Sequence, residues 1–159
     1  MQQIEVITNT TLQSQKLGML IGRFLVKGDV ITLSGNLGAG KTTLAQGIAK
    51  GLDINGIVNS PTFNIIKCYF HGRLPFYHID AYRLEGIKQD LGWDEYFEGD
   101  GVCLVEWPNF IDYALPSDYL EIKIETIDDT TRKYILIGKT ERYETLLRDV
   151  KNNEHTIID

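Results

Sequence analysis

With 159 residues, 43% of them hydrophobic and 24% charged, the chain has the composition of one compact soluble domain, large enough to bury about two thirds of its unfolded surface. Its two cysteines, Cys68 and Cys103, each inside an apolar run, exclude a disulfide framework or paired-cysteine zinc site and read as core thiols, and no run nears the roughly 18 apolar residues of a membrane span. The formal net charge of -6 disfavours a broad basic face for nucleic acid, and it is concentrated: residues 80–106 hold eight acidic side chains against Arg83 and Lys88, while the rest is neutral.

Ile4, Val6 and Ile7 predict a short first strand. Thr10 followed by Gln13 has the spacing of a capping box, and Leu17, Leu20, Ile21 and Phe24 form one apolar stripe, so a helix packs on a sheet from there to Lys27-Gly28. Val30-Ile31-Thr32-Leu33 is short and β-branched, a central strand. A helix follows over 40–50, closed by Gly51. Residues 63–70 and 76–80 read as strands joined by a turn that holds Gly72 and Pro75, a hairpin. A helix is expected over 87–97, with Trp93, Tyr96 and Phe97 on its apolar face, and a buried strand over 102–106. Pro108 and Pro116 bound a loop. Residues 119–125 and 133–137 alternate, predicting antiparallel strands beyond a parallel core, joined at Asp128-Asp129-Thr130. A last helix is expected over 141–150, with an exposed polar tail over 151–159. The order predicts a single α/β domain over 1–150 with a mainly parallel central sheet, antiparallel additions and flanking helices. The start, Met1-Gln2-Gln3-Ile4-Glu5, lacks the basic-then-apolar pattern of a secretion signal, so a cytoplasmic location without membrane is the expectation.

Gly35-Asn36-Leu37-Gly38-Ala39-Gly40-Lys41-Thr42 satisfies G-x4-G-K-[ST] between a predicted strand and a predicted helix, the context of a phosphate-binding loop. Glycines at 38 and 40 permit a tight turn, and successive N–H groups from Asn36, Leu37, Gly38, Ala39 and Gly40 onward, with the helix N-terminus, attract phosphate oxygens. Lys41 is expected to reach the terminal phosphates and Thr42 to offer its hydroxyl to magnesium. Thr43 also lies within reach of the nucleotide, one position beyond the metal-binding hydroxyl.

Phosphate chemistry also needs carboxylates near the metal and near the attacking water. Phe76-Tyr77-His78-Ile79-Asp80 and Val102-Cys103-Leu104-Val105-Glu106 each end an apolar strand in one, so two strand ends can converge on the loop. Glu106 is the preferred metal-linked acid, directly or through water, and Asp80 the preferred water-positioning or catalytic residue, with the roles exchangeable at this stage. Ser60-Pro61-Thr62 sits where a loop could sense the terminal phosphate, Thr62 touching metal or water and Ser60 supporting it. His78 shares its strand parity with Asp80 and reads as a structural or orienting residue. Arg83 could meet phosphate, a partner or a surface carboxylate, and Trp107 could cover the nucleotide, form a docking surface or pack in the core. The absence of N-K-x-D removes the usual guanine signature and favours ATP. No compact arginine-rich lid follows, which favours an ATPase switch over a small-molecule kinase. The kinase, and a nucleotide-binding scaffold with little hydrolysis, remain the alternatives.

The loop motif together with Ser60-Pro61-Thr62-Phe63, Tyr77-His78-Ile79-Asp80-Ala81-Tyr82-Arg83-Leu84 and Leu104-Val105-Glu106-Trp107-Pro108 closely resembles the TsaE (YjeE) family, the ATPase component of bacterial tRNA threonylcarbamoyladenosine biosynthesis, over most of the chain. The resemblance implies a P-loop NTPase domain that holds ATP and Mg2+ at Lys41, Thr42 and Glu106, with Asp80 important for hydrolysis, Thr62 in a switch-like loop and Trp107 coupling nucleotide state to a partner surface. It further implies an accessory subunit of a TsaB–TsaD assembly, weakly active alone. That assembly forms the modification at adenosine 37 of tRNAs that read codons beginning with adenine. The transfer itself belongs to TsaD, and tRNA reaches this chain mainly through the assembly.

Overall fold

The computed structural model describes residues 1–36, 38–56, 58 and 65–158. One seven-stranded sheet runs through it, built from β1 (Gln2–Thr8), β2 (Val30–Ser34), β3 (Ile66–Tyr69), β4 (Phe76–Asp80), β5 (Val102–Glu106), β6 (Leu120–Thr126) and β7 (Arg132–Gly138), in the order β1-β7-β6-β2-β5-β4-β3. β6, β2, β5 and β4 are mutually parallel, while β7 and β1 extend one side and β3 the other with antiparallel pairing. The expectation for 119–125 needs one correction. β6 is antiparallel to β7 but parallel to β2, because the long path from β5 brings it back to the same end of the sheet.

The α-helices α1 (Thr11–Phe24), α2 (Lys41–Gly51) and α4 (Glu141–Asn152) contribute to the larger core, which includes Leu17, Ile21, Leu44, Ile48, Leu146 and the inward side chains Ile31, Leu33 and Leu104. A smaller core on the opposite face of β2, β5 and β4 joins Ile79, Cys103 and Val105 to Trp93 and Phe97 of the short helix α3 (Trp93–Phe97). β5 is therefore buried along its whole length, as its unbroken apolar run predicts. The Cys103 thiol, pushed up to about 12 by burial, is an inert core group.

Thr10 caps α1 by accepting from the Gln13 N–H at 3.1 Å, and the Gln13 side chain accepts in return from Asn9 N at 2.7 Å, one residue earlier than the usual capping box. α1 and α2 then touch through glycines. A methyl at Gly18 would stand 2.6 Å from Leu44 O, and one at Gly47 would run into the backbone of Gln15 and Gly18. Gly47→Ala is accordingly expected to lower stability by about 1–3 kcal/mol through overpacking, despite the better helix propensity of alanine, read as a lower urea midpoint at unchanged m-value.

Two expectations fail locally. Only Trp93–Phe97 of the predicted 87–97 helix forms. Gly92 has φ 77°, Asp90 Oδ1 accepts from Gly92 N, and Gln89 spends its backbone N–H and carbonyl on Tyr113 and Trp93 side chains, so the segment before it is held in turns. The exposed tail is also wrong in part: α4 continues to Asn152, and a 3-10 turn at Glu154–Ile157 buries Ile157 in the larger core.

Candidate nucleotide site

β2 delivers the chain into the loop, and α2 carries it away at Lys41. Gly38 and Gly40 stand at φ 80° and 101°, left-handed conformations that side chains resist, so the glycine spacing is a backbone requirement. Ala39 N donates to Asn36 O across the turn. Lys41, only 8% exposed, donates from Nζ to Gly35 O at 2.6 Å and Asn36 O at 3.3 Å, while its ammonium lies 4.6 Å from the centre of the Trp107 ring. Burial draws Lys41 below its ordinary pKa, with the Glu106 and Asp80 carboxylates opposing the shift. Thr42 is exposed on the first turn of α2, and Thr43 beside it is half-buried.

Strand register brings the acids to this point. β5 lies beside β2 and β4 beside β5, with Leu33 opposite Glu106 and Glu106 opposite Asp80, so both carboxylates stand in one row at the carboxyl ends of parallel strands. Glu106 is buried and its Oε2 lies 2.5 Å from His78 Nε2. Asp80 is half-buried and accepts from Tyr82 N at 3.1 Å. Burial lifts the Asp80 carboxyl above the usual range. The Tyr82 N–H pulls it back, Glu106 pushes it further, and His78 and Lys41 oppose.

Trp107 has φ 56°, strained for a residue with a side chain, and this bend directly after Glu106 returns the indole toward Lys41. Its ring stacks on Phe110 at 5.9 Å and meets Tyr82 at 5.1 Å. Of the alternatives open in the sequence, core packing holds in part: the half-buried Trp107 packs against the smaller core and also lies beside the loop at Lys41. Arg83 is exposed on the turn Tyr82–Leu84 after Asp80. Ser60, Thr62 and Leu37 lie outside the described residues.

One part of the site has no motif. Arg132, the first residue of β7, donates from Nε to Ala39 O at 3.0 Å, fastening the loop from the far side. Beside it a cavity of about 160 Å³ is bounded by Asn9, Thr10, Gly40, Thr43, Thr130 and Arg132. These residues come from three distant segments: the pairing of β1 and β7, with Thr8 opposite Arg132, brings two of them together, and the Arg132–Ala39 bond ties in the third.

The donor set suits magnesium: a threonine hydroxyl and carboxylates are hard oxygen ligands, and Mg2+ is commonly held by one or two carboxylates together with substrate phosphates. No three His, Cys, Asp or Glu side chains among the described residues form a metal cage. No helix among them is long and apolar enough to cross a membrane.

The family model described as "Threonylcarbamoyl adenosine biosynthesis protein TsaE" matches residues 8–134, a span that includes the loop, both strand-end carboxylates and Arg132. The chain belongs to the TsaE family. Its relatives include the tRNA threonylcarbamoyladenosine biosynthesis protein TsaE of Bacillus subtilis (strain 168), 45% identical over 155 residues that cover 98% of both chains. The protein of the same description from Nostoc sp. (strain PCC 7120) is 43% identical over 122 residues, 74% of this chain and 75% of the relative. The crystal structure of Bacillus subtilis YdiB matches the fold with a TM-score of 0.85 at 40% identity, covering 96% of this chain and 97% of that one. The architecture, with its parallel core, is thus that of a solved relative, and three of the motifs read from the sequence fall on the loop, on β4 with the turn after it and on β5, while Ser60-Pro61-Thr62-Phe63 lies outside the described residues.

Proposed function

We propose that this TsaE-family protein is a magnesium-dependent ATPase that serves as an accessory subunit in the formation of tRNA threonylcarbamoyladenosine at adenosine 37. The observation that carries the reading is the convergence of Lys41, Glu106 and Asp80 at the carboxyl ends of adjacent parallel strands, directly beside the glycine loop. Lys41 leaves the loop carbonyls for the terminal phosphates, which replace two weak acceptors with fully charged ones. Thr42 and Glu106 would hold magnesium, directly or through water, and the bound ion would supply neutralisation of phosphate charge. Asp80, whose raised proton affinity suits a base, orients the attacking water. The nucleoside end extends past Gly40 and Thr43 into the cavity beside Arg132. Lacking N-K-x-D, the chain takes ATP rather than GTP.

Membership of the TsaE family supports the biological setting of this proposal, in which the chain joins a TsaB–TsaD assembly, meets tRNA mainly through it, and does not transfer the threonylcarbamoyl group itself. The acidic residues between Asp80 and Glu106 favour docking to protein over a wide contact with RNA. The decisive experiment reconstitutes tRNA modification with the two partner proteins, ATP and magnesium. Repeated modification is expected to require this chain and to be lost with Lys41→Ala. Undiminished turnover without the chain, or stoichiometric phosphate transfer to a metabolite, overturns the proposal.

A further inference from the structure

His78 is wholly buried on β4, on the sheet face it shares with Phe76 and Asp80. Register places it opposite Leu104, one side-chain position behind Glu106 on the same face. Its Nε2 reaches forward to Glu106 Oε2 at 2.5 Å, its ring stacks on Phe76 at 5.9 Å between centroids, and its Nδ1 has no hydrogen-bond partner among the described residues. With Glu106 as a carboxylate, which can only accept, the bond runs from Nε2–H to Oε2 and Nδ1 is left without a partner. An apolar ring here would fill the same core without that orphan atom. The contact with Glu106 is thus what the histidine adds.

Glu106 needs such a contact. It is a long acidic side chain with the Lys41 ammonium close enough to influence it, and a direct ion pair between them would occupy both the phosphate-binding cation and the metal-linked anion. Lys41 Nζ instead lies on Gly35 O and Asn36 O, and Glu106 turns to His78.

We infer that His78 is a positioning residue: its Nε2–H holds one oxygen of Glu106, keeps the carboxylate off Lys41 and leaves the other oxygen for the magnesium-linked position. The inference rests on the reading of Glu106 given above and deepens it. Buried partners of this kind orient a ligand without touching the metal.

The test measures ADP affinity by calorimetry in EDTA and across a magnesium series, for the intact protein and the variants E106Q, H78L, H78N and H78Q. Loss of the Nε2–H in H78L, or its retraction in the shorter H78N, is expected to raise the magnesium midpoint by about 10–100-fold while affinity in EDTA stays within about 2-fold. H78Q, whose amide N–H reaches the same place, is expected to recover the midpoint to within about 3-fold. Should H78L fail to fold, the Asn and Gln pair decides, because both bury a similar amide and differ in reach. If E106Q raises the midpoint but H78N matches the intact protein, or if H78Q behaves as H78N, the role of His78 is overturned and that of Glu106 stands. If E106Q leaves the midpoint unchanged, the reading of Glu106 falls and the inference falls with it.

Discussion

Asp80→Asn is expected to lower partner-stimulated ATP hydrolysis by about 10²–10⁴-fold while ATP affinity remains within a few-fold, the signature of losing a base and not a binding group. Asparagine keeps the shape of the side chain and an oxygen to accept from Tyr82 N, so the turn after β4 survives. What is lost is a proton acceptor at the strand end beside Glu106. The same variant carries a stability prediction of known sign. Burial raises the Asp80 pKa in the folded protein, so the native state binds this proton more tightly than the unfolded chain does. An ionised Asp80 therefore costs stability at any pH above its folded value, and the cost disappears below the unfolded value of about 4. Without nucleotide and in EDTA, Asp80→Asn is expected to have a higher thermal midpoint than the intact protein at pH 7, the gap closing as pH falls toward 4. A variant that loses both activity and stability at pH 7 would mark Asp80 as structural.

The parts of this site that were legible in the sequence are those encoded locally. The loop residues are contiguous, and positions 38 and 40 need glycine because their backbone angles are left-handed. Glu106 and Asp80 were visible because each ends an apolar run, and a parallel sheet places such ends together. What remained hidden depends on non-local pairing. Arg132 begins an unremarkable alternating strand, and nothing near it reveals that β7 lies where its guanidinium can reach Ala39. His78 announced its parity with Asp80 but not its bond to Glu106, which exists because β4 and β5 are in register. The failed 87–92 helix has a different cause. Apolar spacing there is compatible with a helix, but Gly92 and the Asp90 side chain offer turns, and Tyr113 takes up the Gln89 backbone from across the fold. Ile157 is not legible in the sequence because one apolar residue in a polar tail has no period, yet it meets the core cluster of α1 and α4.

The second large effect is on stability and starts at the other end of β2. Asp29, 3% exposed, accepts from Arg142 Nε at 3.0 Å and Nη2 at 2.5 Å, and from Val26 N at 2.8 Å. Arg142 Nη2 also donates to Phe24 O, and the neighbouring Tyr143 hydroxyl accepts from Val30 N. This cluster ties the end of α1, the start of β2 and the first turn of α4 together, and β2 leads directly into the phosphate loop. Removing the arginine strands a buried carboxylate with one backbone donor. Arg142→Ala is therefore expected to cost about 3–5 kcal/mol, which at about 2–4 °C per kcal/mol for a chain of this size lowers the thermal midpoint by roughly 6–20 °C. Asp29→Ala leaves a guanidinium whose side chain is 32% exposed and can turn to water, so its cost should be smaller, about 1–3 kcal/mol. The order of the two variants is the informative result. If Asp29→Ala proves the more damaging in thermal and urea unfolding, the cluster acts mainly through the Val26 cap; if Arg142→Ala does, the buried charge dominates, and the loss should reach the nucleotide site through a loosened β2.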